Sequence, residues 1–137
     1  MLKMKNALMM FCLAVLLPCV ALMVNTGTAS AMTLADLQGN YRIQDQHGSS
    51  KFAGCIVTLK MENGELIGTV AKVTRRSGLQ EGMIFLEDTY VDNGQVHCSC
   101  LVDGHTDFYK NTRIDILNGG RVLDFSNGSG GHLLHRM

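Results

Sequence analysis

The sequence has no tryptophan and a single proline, its aromatic residues make up only 6% of the chain, and its 12 basic residues are matched by 12 acidic ones. Each scarcity excludes something. A nucleic-acid partner requires a strongly basic face, and balanced charge supplies none. No long 3.6-residue apolar period runs through residues 32–137, so no helix is available to cover a sheet. The Gly-x-Ser-x-Gly turn that exposes a nucleophile is missing, as is the Cys-x-x-Cys spacing that marks zinc sites. Glu87 and Asp88 fall on opposite faces of their strand, which disfavours an acid/base pair. The glycine-rich run Ser126-Asn127-Gly128-Ser129-Gly130-Gly131 lacks the lysine and the strand-to-helix setting of a phosphate cradle and reads as a turn. The expectation is a protein that is not an enzyme and carries no cofactor.

What is present begins with an address. Lys3 and Lys5 precede a continuous apolar run from Ala7 to Val24, interrupted by Pro18 and Cys19, and Ala29-Ser30-Ala31 offers a small-x-small cleavage site. Residues 1–31 therefore read as a secretory signal peptide, which is the chain's only expected membrane contact. Cys19 follows a proline, where lipidation sites take a small residue, so a lipid anchor is disfavoured. Without Lys3 and Lys5 the basic residues number 10 against 12 acidic. Residues 32–137 are enough for one small domain with a single core. The protein is expected in the bacterial periplasm or outside the cell.

Residues 32–38 can form one helical turn capped by Thr33, before Gly39. After it, Asn-, Asp-, Gly- and Ser-rich punctuation recurs regularly, with the hairpin dipeptide Asn-Gly at Asn63-Gly64, Asn93-Gly94 and Asn118-Gly119. Strands are predicted near 40–44, 54–61, 65–73, 83–91, 95–102, 108–117, 121–126 and 132–136. Sequential strands joined by tight turns are antiparallel neighbours. An all-β antiparallel meander of about eight short strands can bury its apolar faces and hide its edges by closing into an up-and-down barrel. A two-sheet β-sandwich is the alternative. The expected core positions are Val57, Leu59, Met61, Leu66, Val70, Met83, Phe85, Val96, Val102, Ile114 and Ile116. Such medium-sized branched residues favour a mostly packed interior.

Three cysteines remain after the leader, Cys55, Cys98 and Cys100. Alternation puts Val96, Cys98, Cys100 and Val102 on the apolar face of one strand, with His97, Ser99, Leu101 and Asp103 on the other. Three readings stand: small buried hydrophobes, a disulfide from Cys55 to Cys98 or Cys100, or a soft copper or zinc site of Cys98 and Cys100 with His97 and His135. A bridge would close a loop of roughly 40 residues and contribute roughly 4 kcal/mol. On a strand His132 and His135 face opposite ways, with His135 pointing into one face and His132 out of it. Arg75 and Arg76 form a basic loop patch that could meet an anion or a partner.

Gly39-Asn40-Tyr41 with Asp45 and Gly48, the run Gly64-Glu65-Leu66-Ile67-Gly68-Thr69-Val70 with Lys72, then Gly104 to Tyr109 and Leu123 to Arg136, are similar in order to the domain-of-unknown-function 2147 family of small exported bacterial proteins. That family tends to carry tryptophan where Tyr41 stands and again near the final arginine. The resemblance implies a compact lipocalin-like barrel in the envelope with no known activity. Gly39-x-Tyr41 also resembles the Gly-x-Trp opening of lipocalins, a likeness of fold that assigns no ligand. The sequence thus leads to an exported binding or accessory barrel whose partner is a small apolar ligand or an envelope protein, with a thiol, metal or redox protein as the alternative.

Overall fold

The computed structural model describes residues 23–24, 32–44, 50–101, 107–127 and 130–137. The expected leader, apart from Met23–Val24, lies outside the described residues, as do Asp45, Gly48, Val102, Asp103, Gly104 and His105.

Eight strands close into an antiparallel barrel: β1 (Gly39–Gln44), β2 (Ile56–Glu62), β3 (Glu65–Lys72), β4 (Ile84–Asp92), β5 (Gln95–Leu101), β6 (Phe108–Leu117), β7 (Val122–Asn127) and β8 (Gly130–Arg136). Each pairs with the next, and β8 pairs back with β1. The meander expected from the sequence is therefore present in full, and closure rules out the sandwich. A separate two-residue ladder joins Met23–Val24 to Met32–Thr33.

Asn-Gly sets two of the hairpins. Asn63 and Gly64 have φ of 52° and 79°, Asn93 and Gly94 of 50° and 74°. Both positions of a two-residue turn then lie in the left-handed region, whose twist matches the flanking strands. Register follows by counting outward from the turn, so Glu62 faces Glu65 and Asp92 faces Gln95.

Among the described residues four register shifts, each a bulge of one residue, interrupt the ladders. Each adds a residue to one strand, which bends it and increases its twist, as tight closure requires. One extra residue of β4, Phe85, stands between Leu86 and Ile84, the partners of the adjacent Gly68 and Thr69, and the consecutive Phe85 and Leu86 are both fully buried. Where that ladder is disturbed, the Thr89 hydroxyl donates to the Leu66 carbonyl at 3.0 Å and accepts the Leu66 N–H at 2.8 Å.

Of the expected core, Val57, Leu59, Leu66, Val70, Phe85, Val96, Ile114 and Ile116 are buried, and Met61 and Met83 pack against them. At the barrel's middle, a Cβ added to Gly68 would lie 2.8 Å from Leu86 Cγ and 2.9 Å from Leu59 Cδ2. A methyl group there would require the Leu59 and Leu86 side chains to shift. One end is plugged by the 3₁₀ turn Leu34–Leu37, the helical turn expected before Gly39; Leu34 and Leu37 are buried, and the Asp36 carboxylate accepts the Thr33 N–H at 2.9 Å. At the opposite end Phe52 packs against Phe85, ring centroids 6.2 Å apart.

Candidate functional site

The strand β5 carries chemistry-bearing residues on both faces. Val96, Cys98 and Cys100 are buried in the core as alternation requires, and Cys100 pairs with Leu86 and Tyr109. His97 stands on the opposite face, where its ring stacks on Tyr90 with centroids 5.1 Å apart and planes 17° from parallel. Ser99 and Leu101 are buried as well, so the end of β5 at Leu101 is covered on both faces.

Cys55, Cys98 and Cys100 are buried free thiols, with no disulfide among them. Burial pushes the Cys98 thiol up to about 12. Cys100 is raised by burial and by its neighbour Cys98, against a lowering contribution from the Leu101 backbone. Thiolates are the nucleophiles and the metal ligands, so these two sulfurs are held in their unreactive form. Cys55 lies within 3.8 Å of the Thr74 hydroxyl. The structure brings Cys98 and Cys100 onto one face and keeps His97 on the other, while His135 pairs with Arg42 and Val122 on neighbouring strands. Among the described residues no group of three His, Cys, Asp or Glu is placed to hold a metal ion.

The histidine inside the barrel is His132, the reverse of the orientation expected from the sequence. It is 3% exposed and pairs with Phe125, while Leu134, two residues on, pairs with Ile43. The alternation His132-x-Leu134 carries the signal: position 134 is apolar and buried, so 132 shares its side. Phe52 stacks on the imidazole at 5.5 Å and Phe85 is tilted against it at 5.2 Å. Its Nε2 is 2.7 Å from the Leu101 carbonyl oxygen.

Arg75 and Arg76 are exposed beside a turn in which the Ser77 hydroxyl donates to the Thr74 carbonyl at 2.8 Å. Among the described residues no hydrogen bond or ion pair joins them to the groups above.

A second locus lies on the outer wall. Tyr90 of β4 pairs with His97 of β5, His97 with Arg113 of β6, and Arg113 with Ser126 of β7. With Asn111 these residues line one open groove. Arg113 donates to one Asp115 oxygen at 3.2 Å, and the Gln95 amide donates to the other at 3.3 Å and to the Ile114 carbonyl at 2.9 Å. The guanidinium is thereby positioned and its charge offset. Of this row only His97 is singled out by the sequence reading, although the hairpin at Asn93-Gly94 fixes the Tyr90–His97 pair by counting. Arg113 and Ser126 reach the row across β5–β6 and β6–β7, where no two-residue turn sets the register.

The chain matches no protein-family model, no curated protein and no solved structure.

Proposed function

We propose that this protein is a non-enzymatic binding or accessory barrel of the bacterial cell envelope that meets its partner with the outer wall of β4–β7. The observation that carries the reading is the interior at Gly68, where even a methyl group would collide with Leu59 and Leu86. A carrier of an apolar ligand needs open room in the interior, and beside Gly68 that interior is filled by Leu59 and Leu86, while Leu34, Leu37 and Phe52 are themselves buried. Binding is left to the outside, and the groove at Tyr90 and His97 combines an exposed ring with directional polar groups. Export is supported by the leader pattern in residues 1–31, and kinship with the domain-of-unknown-function 2147 family by Gly39-Asn40-Tyr41 and the glycine hairpins.

The test uses the full chain exported from its own leader, with a photoreactive phenylalanine in place of Asn111 or, on the opposite wall, Arg42. Discrete adducts from position 111 and none from position 42 are expected. Equal labelling from both, or none from 111, would refute the assignment of the outer wall. Saturable one-to-one uptake of a fluorescent fatty acid by the purified protein would do the same by showing an interior site.

A further inference from the structure

Resting on that reading of the outer wall, we infer that the row Tyr90, His97, Arg113 and Ser126 with Asn111 is a binding site for a neutral oligosaccharide. Four residues in direct cross-strand register span roughly 14 Å, at about 4.8 Å per strand. The site is therefore elongated and lies across the strands. Tyr90 is 51% exposed with one ring face on His97, which leaves the other face to solvent. The C–H face of a pyranose ring packs against such a surface, while its hydroxyls need fixed donors and acceptors.

Those groups are supplied in a line. Arg113 spends one of five guanidinium N–H donors on Asp115. Asn111 contributes an amide, Ser126 a hydroxyl and His97 an imidazole, each able to donate and accept. Asp115, itself held by the Gln95 amide, accepts from the Arg113 guanidinium and so limits the side-chain freedom to be lost on binding.

Charge decides among ligand classes. The one cation lining the groove is already paired, so an anion gains little from it. Asp92 lies two positions from Tyr90 on β4 and Asp115 two positions from Arg113 on β6, so carboxylates stand beside the row as well as the guanidinium, which disfavours phosphate, sulfate and uronate groups. A cationic peptide would have to displace or crowd Arg113. An uncharged polyhydroxyl chain meets neither obstacle.

Maltohexaose, cellohexaose and chitohexaose are titrated into the isotope-labelled, exported protein, with a sulfated polysaccharide as the anionic comparison, and backbone and imidazole resonances are followed. At least one neutral hexaose is expected to shift Tyr90, His97, Arg113 and Ser126 saturably. Tyr90→Ala should weaken that binding at least tenfold with an unchanged unfolding midpoint, and Tyr90→Phe should retain it. Shifts that map elsewhere, no response to any of the three, or equal binding of the sulfated chain at the row would overturn the inference. If the sugars fail while photo-adducts still form from position 111, only the ligand class falls; if both fail, the outer-wall reading falls with it.

Discussion

The Nε2 of His132 on β8 lies 2.7 Å from the carbonyl oxygen of Leu101 on β5, a bond across the barrel between strands that are not neighbours. A carbonyl only accepts, so Nε2 carries the proton and the tautomer is set. The imidazole is both a spacer among Phe52 and Phe85 and a clamp. His132→Ala removes both roles and should cost about 3 kcal/mol. His132→Phe keeps an aromatic ring, slightly larger, and removes the donor, and should cost about 1–2 kcal/mol. Denaturant midpoints of the two variants separate packing from hydrogen bonding; equal costs would show that the packing contributes nothing, and an unchanged midpoint in His132→Phe that the clamp contributes nothing.

The buried thiols make stability sensitive to alkali. Burial raises Cys98 from 9.0 to about 12 and raises Cys100 also, so the native state keeps protons that the unfolded chain releases. Stability from this source is fully present below about pH 9 and is lost as pH rises toward 12, by up to about 1.4 kcal/mol per pH unit for each thiol. Cys98→Ala should start lower and fall less steeply across that window. At pH 8 the native protein should resist alkylation, and unfolding without reductant should release three reactive thiols from residues 32–137. One thiol instead of three would mean that a disulfide forms in the exported protein.

The eight strands were legible because Asn-Gly turns and alternation act locally, within a few residues of one another. The bulges were not. Phe85 and Leu86 are both buried because β4 gains a residue opposite Gly68, a consequence of closing the barrel that no window along β4 contains. The same limit hid the outer row: its Tyr90–His97 half follows from one hairpin, while Arg113 and Ser126 arrive through connections that leave register open. His132 was misplaced for a simpler reason. Alternation fixes only that it and His135 face opposite ways, not which of them is inside, and the Leu101 carbonyl and the phenylalanine rings accommodate His132 there.

Gly68 offers a direct probe of how full the barrel is. Its missing side chain lies among Leu86 Cγ at 2.8 Å, Leu59 Cδ2 at 2.9 Å and Leu86 Cδ2 at 3.0 Å. Adding atoms to a filled core forces neighbours off their rotamers and costs about 1–3 kcal/mol. Gly68→Ala should therefore destabilise the protein within that range, although alanine suits a strand no worse than glycine. Thermal unfolding checks this. An unchanged or raised midpoint would mean that the leucines yield freely and that the interior has space to spare.

Gly39, Tyr41 and Arg136 form one device, which gives the Gly-x-Tyr opening a physical meaning. The Arg136 guanidinium sits 5.5 Å over the Tyr41 ring and donates to the carbonyls of Asp36, at 3.1 Å, and Gln38. Tyr41 in turn donates to the Leu37 carbonyl at 2.8 Å, so both side chains hold the terminal carbonyls of the turn that plugs this end. Gly39 has φ of 151° and passes so close that a Cβ would stand 3.1 Å from Arg136 Nε. Tyr41→Phe leaves the Leu37 carbonyl without that donor and should cost about 1 kcal/mol. Arg136→Ala should cost about 1–2 kcal/mol, and Arg136→Lys should recover only part, since an ammonium cannot fork to two carbonyls while lying over a ring. In a double-mutant cycle the Tyr41→Phe and Arg136→Ala losses should not add, because both act on the same turn. Amide exchange distinguishes a plug from a surface ion: the Gln38 N–H, bonded to the Ala35 carbonyl at 3.3 Å, should lose protection in Arg136→Ala before the strands do. If its protection falls only together with theirs, the turn is an integral part of the barrel's cooperative unit and Arg136 stabilises the whole rather than one end.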